Sequence, residues 1–127
     1  MAILGWLRRR RSKTPTTTQL QHDVCARFKA TCVPVAPDSK VGVALQTQGQ
    51  QPLNALRHPP EAGTCGWYVW WGNTLSEDPD FFQPLHVEHL SERCPVVVPY
   101  LSLPPGWRVQ VAPGHEDVWF DEALLHA

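Results

Sequence analysis

The sequence predicts an α+β domain in which one N-terminal amphipathic helix packs on a mainly antiparallel sheet of about four or five strands, with short helical turns between them. Three observations carry this. A helical hydrophobic period occurs only near the start, and strand-like alternation recurs several times after it. Thirteen prolines and eight glycines against 18% charged residues then exclude a helical bundle or a coiled coil. The length, 127 residues, suits one domain with a radius of gyration of roughly 14 Å. Residues 1–15 read as a basic tail and residues 16–127 as the single folded domain.

Taken in order, Thr18 and Gln21 have the spacing of a capping box, and Leu20, Val24 and Phe28 recur every four residues. They predict a helix from about Thr17 to Thr31, stopped by Pro34 and Pro37. Val41, Val43 and Leu45 alternate with Gly42 and Ala44, as in a strand covered on both faces. Gln46–Gly63 is rich in glutamine and proline and reads as a loop. Between Cys65 and Gly72 the chain is aromatic and β-branched, which predicts a strand with Trp67, Val69 and Trp71 on one face and Tyr68 and Trp70 on the other.

Asp78-Pro79-Asp80 has the form of a helix start, cut short by Pro84. Leu85–Leu90 and Val96–Val98 fit strand and helical turn equally well. Trp107, Val109 and Val111 alternate, Pro113-Gly114 turns the chain, Val118–Phe120 returns it, and Asp121-Glu122 opens a final helical turn. Trp67, Trp71, Phe82, Trp107, Trp119 and Phe120 are the expected core aromatics, each able to bury ~150 to 250 Å².

Charge divides the chain. Five of its eleven basic residues lie within the first thirteen positions, leaving six against twelve acidic residues from Thr14 onward. An acidic body suits a basic partner and is a poor match for phosphate backbones, so nucleic acid is not an expected partner. No apolar run reaches the ~20 residues of a membrane-spanning helix, so no integral membrane association is expected. At the N-terminus apolar residues precede the arginines, the reverse of a secretory signal, and the expected location is cytoplasmic. Cys25, Cys32, Cys65 and Cys94 lack zinc-knuckle spacing and are expected to be reduced thiols.

Phosphate loops, dinucleotide fingerprints, serine elbows and paired-cysteine metal sites are all missing, so no catalytic residue, metal ligand or cofactor is assigned. His86, Glu88 and His89, with a further carboxylate, form the one local cluster able to hold a metal, and a small metal-dependent hydrolase built on His86 and His89 is the alternative reading. A nucleophilic Cys65 or Cys94 beside these histidines is a weaker variant of it. Against catalysis stands a binding surface of aromatic anchors among carboxylates: Tyr68 and Trp70 with Asp78, Asp80, Glu116 and Asp117.

Several ordered blocks carry a resemblance. Gly66-Trp67-Tyr68, Asp80-Phe81-Phe82, Pro84–Val87 with His89, Tyr100-Leu101, Leu103–Arg108 and Glu116–Asp121 resemble the thirty-third immunity-protein family of bacterial polymorphic-toxin systems, over about residues 65–125. The resemblance implies a protein that neutralises a cognate protein toxin by direct, stoichiometric binding. It supplies no catalytic residues. Toxin identity and oligomeric state are left open.

Overall fold

The computed structural model describes Thr14–His126. The basic run of the expected tail, through Lys13, lies outside the described residues. Helix α1 spans Thr17–Arg27. Its capping box sits two residues earlier than the sequence spacing predicts: the Gln19 amide donates to Thr16 Oγ1 at 3.1 Å, and the Thr16 amide donates to Gln19 Oε1 at 2.8 Å. Gln21 serves packing instead, donating to the Val98 carbonyl at 2.9 Å and accepting from Ser102 Oγ at 3.0 Å. The helix ends four residues short of Thr31, because Lys29 takes a left-handed φ of 56° that turns the chain back. That reversal brings Cys32 to Cys25 in a disulfide with a Cα separation of 5.8 Å, which corrects the expectation of four free thiols. Cys65 and Cys94 are free and buried.

Six strands follow: β1 (Lys40–Val43), β2 (Leu53–Arg57), β3 (Thr64–Trp71), β4 (Gln83–His86), β5 (Trp107–Ala112) and β6 (His115–Phe120). They form one sheet in the order β4-β1-β3-β2-β5-β6. The sheet is mixed, since β1 runs parallel to β3 while every other neighbouring pair is antiparallel. Two strands therefore add to the sequence reading. One is β2, inside the segment read as a loop. All five of its residues are buried, so no polar alternation marks it, and it contains no β-branched residue. The other is β4, which settles the ambiguous Leu85–Leu90 stretch as strand, then a 3-10 turn over Val87–His89, then a short helix α2 (Leu90–Arg93). Val96–Val98 lie in a 3-10 helix over Pro95–Tyr100.

The sheet has two unequal sides. On the inner side Val41, Val43, Ala55, Trp67, Val69, Trp71 and Val109 pack beneath α1, α2 and the Pro95–Tyr100 turn, with Leu90, Val97, Leu101 and Leu103. On the outer side a smaller cluster gathers Ala44, Leu56, Trp70, Phe81 and Leu124. Of the expected core aromatics, Trp67 and Trp71 are buried, Phe82 and Trp107 are half-buried, and Trp119 and Phe120 are 36% and 49% exposed. Edge position explains the last two: among the described residues β6 has a neighbour on one side only.

Arg57 ends β2 on the inner side and is 2% exposed. It faces no carboxylate. Its guanidinium donates to the carbonyls of Cys65 (3.0 Å), Val33 (2.7 Å) and Leu103 (2.8 Å), tying three separate segments to one side chain. Burial lowers its pKa from the ordinary arginine value.

Candidate functional site

Tyr68 organises the outer side. Even-numbered residues of β3 point outward, and opposite Tyr68 the parallel neighbour β1 carries Gly42. The ring lies over that glycine: a Cβ there would come within 2.7 Å of the Tyr68 ring. Edge-to-face contacts spread from it, to His58 at 5.7 Å and to Phe82 at 5.1 Å, and Phe82 continues to Trp70 at 6.2 Å and to Phe81 at 4.9 Å.

Three hollows meet at Tyr68. One of about 480 Å³ is lined by His58, Glu61, Thr64 and Leu125. A second, of about 210 Å³, is lined by Leu56, His58, Trp70, Leu75 and Phe82. The third, of about 170 Å³, runs between Lys40, Thr64, Phe82 and Pro84. His58 Nδ1 lies 3.1 Å from the Leu124 carbonyl, which can only accept, so Nδ1 carries the hydrogen. In the neutral ring Nε2 is then an acceptor.

The sequence-predicted residues fall in three places. Tyr68 is half-buried in the wall shared by the hollows, and Trp70, 6% exposed, forms floor rather than anchor. Asp78 and Asp80 are exposed on the loop between Leu75 and Phe82, both of which line the second hollow. That loop is not the helix predicted for it. The Asp80 amide donates to Asp78 Oδ1 at 2.9 Å and the Asp78 amide to Ser76 Oγ at 3.0 Å, so both residues build turns. Asp117 is also on the outer side, in register with Gln110, Asn54 and Trp70 across β5, β2 and β3. Three strand spacings, about 14 Å, separate it from Trp70.

Glu116 faces the other way. Arg27 at the end of α1 grips both its oxygens, at 2.8 and 3.0 Å, and the Tyr100 hydroxyl donates to Glu116 Oε2. The bidentate guanidinium first, and the hydroxyl second, hold the carboxyl at a pKa of about 2. Tyr100 is pushed up to about 12, by burial and then by the neighbouring carboxylate.

Across the body eleven carboxylates are exposed and Asp121 is half-buried, whereas among the six described cations Arg57 is buried, Arg27 is paired to Glu116 and Arg108 is paired to Asp121 at 3.0 Å. Arg108 also lies 5.7 Å from the Trp119 ring centre, at the far end of the row that begins at Tyr68.

For the alternative chemistry, His86, Glu88 and His89 offer ligand atoms within 4.8 Å of one another, and all three side chains are exposed. Glu88 lines a hollow of about 300 Å³ with Val35, Pro37, Val87 and Leu101, but His86 and His89 are not among its lining residues, so the two imidazoles stand outside it. The Cys94 thiol is buried and pushed up to about 11 by that burial, the opposite of an activated nucleophile.

Sequence reasoning missed His58, Glu61 and Gly42. The first two sit at the far end of the segment read as a loop, and only the pairing of β2 with β3 brings them to Tyr68. Among the described residues, no helix is long and apolar enough to cross a membrane.

The model of the Imm33-like domain matches residues 20–121, from α1 through the end of β6. No curated protein and no solved structure matches the chain.

Proposed function

The chain belongs to the Imm33-like domain family, and from that membership we propose that it is a bacterial immunity protein that neutralises a cognate protein toxin by stoichiometric binding through the outer side of its sheet. Family membership implies a non-enzymatic role. The observation that carries the binding surface is the meeting of three hollows at Tyr68, flanked by Glu61 and by the loop bearing Asp78 and Asp80. An aromatic face with a carboxylate beside it suits a lysine or arginine of a basic toxin, which stacks on the ring while its charge meets the carboxylate. Asp78, Asp80 and Asp117, all exposed, steer the encounter. Trp70 supports the floor, and Glu116 holds β6 in place from the opposite side.

Association with the toxin domain encoded beside it tests this. Asp80→Lys slows association several-fold and flattens its dependence on salt, whereas Tyr68→Ala leaves association nearly unchanged and speeds dissociation at least tenfold, with both variants folded by circular dichroism. Wild-type kinetics in both variants would overturn the surface. Lack of any complex with the wild-type chain would overturn the immunity reading itself.

A further inference from the structure

The two edges of the sheet are treated differently by the sequence. At one edge β4 has four residues, includes Pro84, and runs directly into a 3-10 turn, so it offers a short, interrupted row of backbone groups. Proline and brevity are the usual means of protecting an edge. At the other edge β6 has six residues in unbroken register with β5, and it contains no proline, lysine or bulge. Among the described residues nothing pairs with its outward side. Five of its six residues are exposed, Trp119 and Phe120 among them.

We propose that β6 pairs with β6 of a second copy of this chain, antiparallel about a two-fold axis at Val118. Hydrogen-bond parity and charge select that register. The Asp121 amide donates to the Gly106 carbonyl at 2.7 Å, which directs the backbone groups of Asp121, and by alternation those of Trp119, Asp117 and His115, toward β5. Glu116, Val118 and Phe120 therefore turn their amides and carbonyls outward, and a partner strand must match outward residues to outward residues. Four two-fold centres satisfy this within the middle of the strand.

Centring on Glu116 runs the ladder into the Pro113-Gly114 turn after one residue on each side, and centring on Asp117 sets that carboxylate against its own copy. Centring on Trp119 sets Asp117 against the partner's Asp121. Only centring on Val118 avoids opposed carboxylates: Glu116 faces the partner's Phe120, Asp117 faces the partner's Trp119, and His115 faces the partner's Asp121. Glu116 tolerates a ring beside it because Arg27 already neutralises it. The pairing supplies about six hydrogen bonds between chains, covers both exposed aromatics, and extends each six-stranded sheet into one of twelve. It uses the strand's edge rather than the hollows at Tyr68, and of the residues assigned to the toxin encounter it covers Asp117 alone.

Sedimentation equilibrium of the full chain over about a hundredfold range of concentration tests the proposal. The weight-average mass is expected to rise from one chain toward two. Val118→Pro removes an outward amide but no bond to β5, so it abolishes the rise while circular dichroism stays folded. His115→Glu opposes two carboxylate pairs and raises the dissociation constant about tenfold. Independently, V118C chains cross-link to a covalent dimer on mild oxidation and D117C chains do not, because only position 118 meets its own copy at the ~5.5 Å Cα spacing of a hydrogen-bonded pair. A chain that stays monomeric throughout, or a dimer that persists in Val118→Pro, or V118C cross-linking no faster than D117C, overturns the proposal.

Discussion

A buried arginine with no acid beside it is the least expected single residue of this protein. Arg57 sits in a stretch of glutamine and proline where a lone cation reads as solvated, and no local signal distinguishes it from Lys29 or Arg93. Only the convergence of four carbonyls, those of Cys65, Val33, Leu103 and, at 3.4 Å, Leu101, makes burial tolerable. Arg57→Met leaves those acceptors unpaired and is expected to cost about 3 kcal/mol or more in urea unfolding. Glu116 is the converse case: it reads as a free surface carboxylate, but Arg27 lies 89 positions away, a separation at which sequence patterns say nothing. Because folding lowers its pKa, the stability it contributes is complete above its ordinary value of 4.5 and fades as pH falls toward about 2. Glu116→Gln should lose about 1 kcal/mol at neutral pH and flatten the acid limb of a stability profile below pH 4.5, measured by thermal unfolding across that range. Tyr100 titrates in the other sense, its raised pKa removing stability as pH climbs from 10 toward about 12.

At the scale of elements, legibility followed patterning. The β5–β6 hairpin was readable because Pro113-Gly114 marks its turn and alternation flanks it, and the two-sidedness of β3 followed from period two alone. By contrast β2 was invisible, since a strand buried on both faces shows no alternation and Leu-Asn-Ala-Leu-Arg has little β propensity. The Asp-Pro-Asp signal misled for a physical reason: the same side-chain acceptors that cap helices also close turns, and here Phe81 and Phe82 are drawn onto the outer cluster before a helical turn can form. The Cys25–Cys32 disulfide closes the reversal after α1, a loop of about eight residues. In the chain-entropy treatment its reduction costs about 2.5 kcal/mol, readable as a lower melting temperature in dithiothreitol that Cys32→Ser reproduces. Gly66 has φ +92°, and a Cβ there would lie 1.9 Å from the His58 carbonyl. Gly66→Ala should therefore distort the β2–β3 junction, and a shifted near-ultraviolet circular dichroism signal from Tyr68 and Trp70 would report it.

Over the whole molecule, fold class and the presence of one sheet were in the sequence, but its strand order was not. Periodicity tells which residues share a face and carries no information on which strand lies beside which, so the insertion of β2 between β3 and β5 and the parallel pairing of β1 with β3 had no local signature. The candidate site divided along the same line. Tyr68, Asp78 and Asp80 are proposed on residue type alone, whereas His58 and Glu61 join them only through the pairing of β2 with β3. The surplus of exposed carboxylates predicts strong salt dependence of association with any basic partner, measurable as a slope of rate against ionic strength.

Arg27 grips Glu116, which in turn accepts from the Tyr100 hydroxyl. Helix α1 rests partly on the early strands, but the groups that tie it down, in the Pro95–Tyr100 turn and β6, lie 77 and 89 positions further along the chain. Loops of that length must close before these contacts return any stability, so the docking of α1 belongs to the late, slow part of folding.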